Sequence, residues 1–191
     1  MIDFLQIGVP ALNKLMIQME GIVKRFGSIT ALDNMNFHAY GGEITAIVGD
    51  NGSGKSTLIQ ILTGCLKPDQ GVIQIKDRVF HSLTAKEAME QGITAVYQNG
   101  DIMIFDEPTS AMGMKETERI MNLFRTLKKQ GKTIILISHN LFQVYDISDR
   151  ICVIKNGRQV DFFLTRDSSP EQLYQSIIER EEQADDEKMD E

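Results

Sequence analysis

ITAVYQNGDIMIFDEPTS, residues 93–110, holds two β-rich apolar runs separated by little more than Asn99-Gly100, and the direction in which the runs lie decides the fold. Read locally, Asn-Gly supplies the two positive-φ residues of a type I′ turn, which makes an antiparallel hairpin. The second run ends in Asp106-Glu107, however, and carboxylates used beside a phosphate require parallel strands with both C-terminal ends on one edge. A parallel pair has to bring the chain back by one strand length, about 17 Å for five residues, normally through a crossover of ten or more residues. The three residues from Asn99 to Asp101 reach at most ~13 Å over their four steps. Unravelling the strand that ends at Gln98 relieves the strain. Local turn preference and site geometry thus conflict, and we read Asn99-Gly100 as a junction left by a deletion rather than as a turn.

The phosphate is implied upstream. GDNGSGKST, residues 49–57, fits the pattern G-x-x-x-x-G-K-[ST], after an apolar strand and before a helix. Its residues are Gly49, Asp50, Asn51, Gly52, Ser53, Gly54, Lys55, Ser56 and Thr57. Glycines at these positions let backbone N–H groups close around phosphates, the helix N-terminus adds a favourable dipole, and Lys55 reaches the β and γ oxygens. Ser56 is the expected Mg²⁺ ligand. Asp106 is expected to hold the shell of the same ion and Glu107 to polarise an attacking water. Alone, an acidic pair after a strand is usually the start of a loop; beside the loop at Lys55 it reads as chemistry. A lone histidine at a strand end is ordinarily structural, yet His139, in SHN downstream of DEPTS, reads as a γ-phosphate contact. Gln98, ending VYQ, has an exposed polar strand end as its plain alternative. Phe26, in KRFG, has a core position as its own.

Composition sets the frame. The 191 residues are 42% hydrophobic and 25% charged, as expected of one soluble globular domain. No apolar run approaches the roughly 20 residues that cross a bilayer. The opening MIDFLQIGVPALN has an acid where a signal peptide has bases, so residues 1–15 read as an extension, with Met16 or Met19 as alternative starts. Most of the net charge of −7 comes from residues 179–191, an acidic tail with eight acids and two bases. The body, residues 16–178, is close to neutral, which argues against a nucleic-acid-binding surface. Cys65 and Cys152 have neither metal-type spacing nor a disulfide framework, suit a reducing cytoplasm, and are expected to be small buried residues.

Along the chain, residues 16–24, 43–48 and 71–80 read as strands, and residues 56–66 as a helix. Thr84-x-x-Glu87 is a capping box opening a short helix to Gln91. A helix over 115–130 closes at Gly131, and TIILIS, residues 133–138, is a buried strand with Asn140 capping the next helix. Asn156-Gly157 turns a second hairpin between 151–155 and 158–163. Ser169-Pro170-Glu171-Gln172 starts the last helix. The alternation predicts an α/β fold, mainly parallel, with an antiparallel element near the N-terminus. No heptad is sustained, which weighs against coiled-coil chromosome-maintenance ATPases.

Taken in order, KRFG, GDNGSGKST, YQ, FDEPTSAM and ISHN resemble the ATP-binding subunit of ABC transporters over nearly the whole chain. KRFGSITALDNMNF, GDNGSGKSTLIQILTG and SHNLFQVYDISDRICVIKNGRQV are similar to the sugar-importer branch (ribose, fructose and xylose types). The resemblance implies a P-loop NTPase with a RecA-like ABC ATPase core. It implies ATP and Mg²⁺ as ligands, with Phe26 stacking on adenine and Ala31 beside it. Gly49 to Thr57 is then the Walker A loop, Gln98 the Q-loop contact to Mg²⁺ or water, Asp106 Walker B, Glu107 the catalytic base and His139 the switch histidine. Ser110 to Gly113 occupies the D-loop, where Met112-Gly113 replaces the usual Leu-Asp. The implied partners are transmembrane permease subunits and a second ATP-binding subunit. The implied location is cytoplasmic, peripheral at the inner face of the plasma membrane, without membrane insertion of the chain's own.

One family part is missing. Members carry a helical subdomain with the LSGGQ signature between the Q-loop and Walker B, where this sequence has only Asn99, Gly100 and Asp101. The helical subdomain is therefore expected to be absent. Since family members sandwich ATP between one subunit's Walker A and the other's signature, a homodimer of this chain completes neither site. A full-length partner supplies what this chain's Walker A lacks. Two further readings stay open at this level: a non-hydrolytic nucleotide-binding module, and an inactive remnant.

Overall fold

The structure is a computed structural model that describes residues 14–95 and 100–178. Two sheets organise it. A four-stranded antiparallel sheet has the order β2-β1-β4-β5, from β1 (Leu15–Phe26), β2 (Ile29–Tyr40), β4 (Gln70–Ile75) and β5 (Arg78–Phe80). The second sheet has the order β10-β9-β3-β8-β7-β6, from β3 (Ile44–Val48), β6 (Ile93–Ala95), β7 (Ile102–Asp106), β8 (Thr133–Ile137), β9 (Arg150–Lys155) and β10 (Arg158–Leu164). Its strands are parallel except where β10 returns on β9. The helices are α1 (Lys55–Leu62), α2 (Ala85–Glu90), α3 (Met114–Lys129), α4 (Leu141–Ile147) and α5 (Pro170–Ile178).

The central strands β3 and β8 are buried along their whole length and mostly apolar because both of their faces are covered. Along β8, Ile135 and Ile137 join a core with Leu58 and Ile61 of α1 and Ile17 and Phe37 of the antiparallel sheet. Their neighbours Ile134 and Leu136 point the other way, onto Phe124 of α3. β9 alternates likewise: Cys152 and Ile154 face the first core, while Ile151 and Val153 meet Val144 of α4 and Leu173 of α5. Strand periodicity of two thus sorts one run of sequence into two cores. Burial pushes the Cys152 thiol up to about 12. Cys65, expected inside, is exposed.

β6 and β7 are parallel, with Ile93 opposite Ile102 and Ala95 opposite Ile104. The Asn-Gly hairpin is not formed. The described part of β6 is Ile93–Ala95, which is two strand steps, about 7 Å, in length. Six residues intervene, and they reach about 23 Å at most. The return passes close over β6 itself: a Cβ on Gly100 would lie 2.6 Å from both the Gly92 carbonyl oxygen and Thr94 Oγ1. Ile102 N–H donates to the Gly92 carbonyl at 3.1 Å, and Lys76 Nζ lies 2.9 Å from Asp101 Oδ2. Of the expected strand through Gln98, Ile93–Ala95 is β6, while residues 96–98 and the junction residue Asn99 fall outside the described residues, as do most of the 1–15 extension and the 179–191 tail.

Other expectations need smaller corrections. The strand read over 71–80 is a hairpin, β4 and β5, because Lys76 takes a positive φ of 56° and turns the chain. α1 ends at Leu62, short of Leu66, with Gly64 at φ 74°. The Thr84–Glu87 capping box, the Asn140 cap and the Ser169–Gln172 pair are all formed.

Candidate functional site

The C-terminal ends of β3, β7 and β8 lie on one edge of the parallel sheet, and each ends in candidate residues. β3 runs into the glycine loop. Gly49 takes φ 149°, and a Cβ there would sit 2.1 Å from the Ile154 carbonyl oxygen. Gly54, at φ 107°, would place a Cβ 2.7 Å from the Ala31 carbonyl oxygen. Side chains at either position are excluded, so backbone forms the cradle. Gly54 caps α1 without any side-chain hydrogen bond. The first-turn N–H groups of that helix therefore lack a side-chain acceptor and are suited to an anion.

Lys55 is 7% exposed. Its Nζ donates to the carbonyls of Gly49 at 2.8 Å and Asp50 at 2.7 Å, with Ser53 Oγ at 3.4 Å. Burial lowers its pKa, opposed by the carboxylates of Glu107, Asp50 and Asp106. The ammonium is thus a partly desolvated cation whose loop partners are neutral carbonyls.

Asp106 and Ile137 are neighbours at the ends of β7 and β8. Glu107 follows at φ 48°, a left-handed conformation uncommon for a residue with a side chain. Its N–H donates to the Ile137 carbonyl at 3.0 Å. His139 Nε2 lies 3.0 Å from Glu107 Oε1. Oε1 is buried and makes no hydrogen bond beyond this contact. An acceptor left in this state is suited to a water or a substrate hydrogen.

One cavity of about 190 Å³ gathers Asn51, Gly52, Gly54, Lys55, Ser56 and Thr57 with Ala31, Asp106, Glu107, Ile137 and His139. It is smaller than the roughly 300–1,000 Å³ of ordinary ligand pockets, which suits a polyphosphate end rather than a whole nucleotide. Phe26 does not line it. The ring is 48% exposed at the end of β1, with Lys24 Nζ 5.5 Å from its centroid. Phe26 pairs with Ile29 on β2, two residues before Ala31, which falls at a register shift and lines the cavity. Gly49, Asp50 and Ser53 face the Lys55 ammonium rather than the cavity. Gln98 lies outside the described residues.

Among the described residues no three of His, Cys, Asp and Glu form a metal cage. Mg²⁺ seldom needs one, being held by one or two carboxylates together with phosphates. Ser56 and Asp106 share the cavity and fit that pattern.

The sequence did not point to Gly157 as a support of the loop. Its N–H donates to the Ser53 carbonyl at 2.9 Å, and its carbonyl accepts from Asp33 N–H at 2.9 Å. The β9–β10 turn thereby ties the glycine loop to β2. Nothing in the local sequence links residues a hundred positions apart.

A family model described as "ABC transporter" matches residues 32–149. The fructose import ATP-binding protein FrcA of Rhizobium meliloti is 27% identical, over 73% of this chain and 85% of its own length. The ribose import ATP-binding protein RbsA 2 of Escherichia coli O157:H7 is 29% identical, over 80% of this chain but 44% of its own length. The nucleoside import ATP-binding protein NupA of Lactococcus lactis is 27% identical, over 88% and 47%. The chain thus spans less than half the length of the last two. The FrcA alignment runs over 220 positions, more than the 191 residues here, so it includes positions with no counterpart in this chain. Among solved structures, a nucleotide-free ATP-binding cassette from an ABC transporter superposes with a TM-score of 0.74 at 21% identity, over 78% of this chain and 90% of that one. The ADP conformation of the cassette MJ1267 gives 0.75 at 21% identity, over 84% and 94%.

Proposed function

The chain belongs to the ABC transporter family, and we propose that it is the ATP-binding subunit of an importer for a simple sugar, in a shortened form whose hydrolysis needs a partner. The observation that carries this reading is the convergence of Lys55, Ser56, Asp106, Glu107 and His139 on one small cavity. Curated relatives named as fructose and ribose import proteins support the sugar assignment.

In this role the loop amides and Lys55 bind the β and γ phosphates, with the ammonium exchanging its carbonyl partners for phosphate oxygens. Phe26 and Ala31 receive the adenine outside the cavity. Ser56 and Asp106 hold Mg²⁺, with Gln98 as a further ligand by family resemblance; the ion, when bound, neutralises charge on the phosphate oxygens. Glu107 orients and deprotonates the attacking water through the oxygen that lacks a donor. His139 contacts the terminal phosphate. These steps need the LSGGQ signature to close over the γ-phosphate. The chain contains no such sequence, and the link between β6 and β7 has no room for the subdomain that bears it.

The partners are accordingly a second, full-length ATP-binding subunit and the permease subunits that hold the complex at the cytoplasmic face of the membrane. Among the described residues no helix is long and apolar enough to cross a membrane. The test is hydrolysis by complementation. The chain alone is expected to hydrolyse no ATP. Mixed with a full-length importer subunit whose own P-loop lysine is replaced by alanine, it should turn ATP over, and Glu107→Gln in this chain should abolish that turnover. Turnover by the chain alone, or none in the mixture, contradicts the reading.

A further inference from the structure

We propose that Thr109 and Gln143 form a positioning clip that holds the Glu107 carboxylate against the His139 imidazole; the proposal rests on reading this cavity as the terminal-phosphate end of an ATP site. Glu107 and His139 come from different loops, one after β7 and one after β8. The strands are joined at their ends by the Glu107 N–H bond to Ile137, after which the loops diverge. The loop after β7 folds on itself, with Ser110 N–H and Oγ both returning to the Glu107 carbonyl at 3.2 and 3.0 Å. The loop after β8 passes His139 to Asn140, whose side chain caps α4 by accepting from Gln143 N–H at 3.2 Å.

The two loops are then tied by side chains: Thr109 Oγ1 donates to Gln143 Oε1 at 2.8 Å, half-buried. This bond backs the single carboxylate–imidazole contact by tying together the loops that carry the two side chains. Their one approach is 3.0 Å between His139 Nε2 and Glu107 Oε1, and Glu107 adopts a left-handed backbone. A strained residue persists only where its surroundings over-determine it. Beyond the pair a wide cleft of about 1220 Å³ opens between the 109–110 loop, α4 and α5. The Thr109–Gln143 bond lies on that side, where nothing else among the observed hydrogen bonds joins the two loops.

The first readout needs no nucleotide. Amide hydrogen exchange at Glu107 is expected to speed up about tenfold in Thr109→Val and in Gln143→Met, the factor one net side-chain hydrogen bond carries. Amides of β3 should be unaffected, and Gln143→Glu, which keeps an acceptor, should retain protection. Unchanged exchange at Glu107, or a loss spread evenly over β3, β7 and β8, overturns the clip. The second readout is the ratio of Mg²⁺-ATP to Mg²⁺-ADP affinity. The ratio should fall about tenfold in both variants, toward that of His139→Ala, with ADP affinity unchanged; an equal loss for both nucleotides overturns the proposal. A wild-type chain that binds neither nucleotide refutes the ATP-site reading, and the exchange result then decides the clip by itself.

Discussion

Lys55 is a buried cation held by carbonyls, and this determines how its charge responds to pH. Burial lowers its pKa from the ordinary lysine value of 10.5, against the opposing pull of Glu107, Asp50 and Asp106. Phosphate binding requires the protonated form, so affinity for Mg²⁺-ATP is expected to fall as pH rises through the lowered pKa, below the range where an exposed lysine titrates. Following the ATP dissociation constant as pH rises past 10.5 checks this; affinity that begins to fall only above the ordinary lysine value contradicts it. At this scale most of the site was legible in the sequence. The glycine loop, Asp106-Glu107 and His139 sit in short stretches whose residue types suggest the proposed chemistry, and the structure brings them to one cavity. Gly157 and the Thr109–Gln143 bond were not legible, since each acts across a distance in sequence that only the folded chain closes.

Among the elements, two Asn-Gly pairs had different fates. Asn156-Gly157 makes its hairpin, with φ of 49° and 74° at the two residues. Asn99-Gly100 lies between parallel strands, because Ile102 to Asp106 must pair with Thr133 to Ile137 in the sheet interior. Burial of β7 on both faces outweighs a turn preference. β2 was not read as a strand at all: its pairing with β1 is broken by register shifts, and Asn34 takes a positive φ of 50°. Two glycine substitutions test these elements. Gly100→Ala forces a Cβ to within 2.6 Å of the Gly92 carbonyl oxygen. A cost of about 2 kcal/mol for such overpacking is expected to lower Tm by about 4–8 °C. Gly157→Ala, with φ 74° and its Cβ 2.7 Å from the Ala31 carbonyl oxygen, should destabilise by a similar amount and also weaken Mg²⁺-ATP binding. Thermal melts of both variants, with ATP titrations of Gly157→Ala, provide the check. An unchanged Tm in Gly100→Ala would mean that the return over β6 is looser than its contacts indicate.

At the scale of the whole molecule, the proposed reading gives this chain one half of a two-subunit reaction. The sheet edge that presents the glycine loop, carboxylates and histidine is assembled although only six residues separate the described part of β6 from β7. The central claim is that this edge is a working nucleotide site. Calorimetric titration of Mg²⁺-ATP into the purified 191-residue chain, with Lys55→Ala beside it, tests that claim most directly. The account predicts micromolar binding by the chain. Loss of a charge-assisted contact worth about 1.5–3 kcal/mol weakens Lys55→Ala by roughly 10- to 150-fold. No binding by a folded wild-type chain, or binding that Lys55→Ala leaves intact, would contradict it.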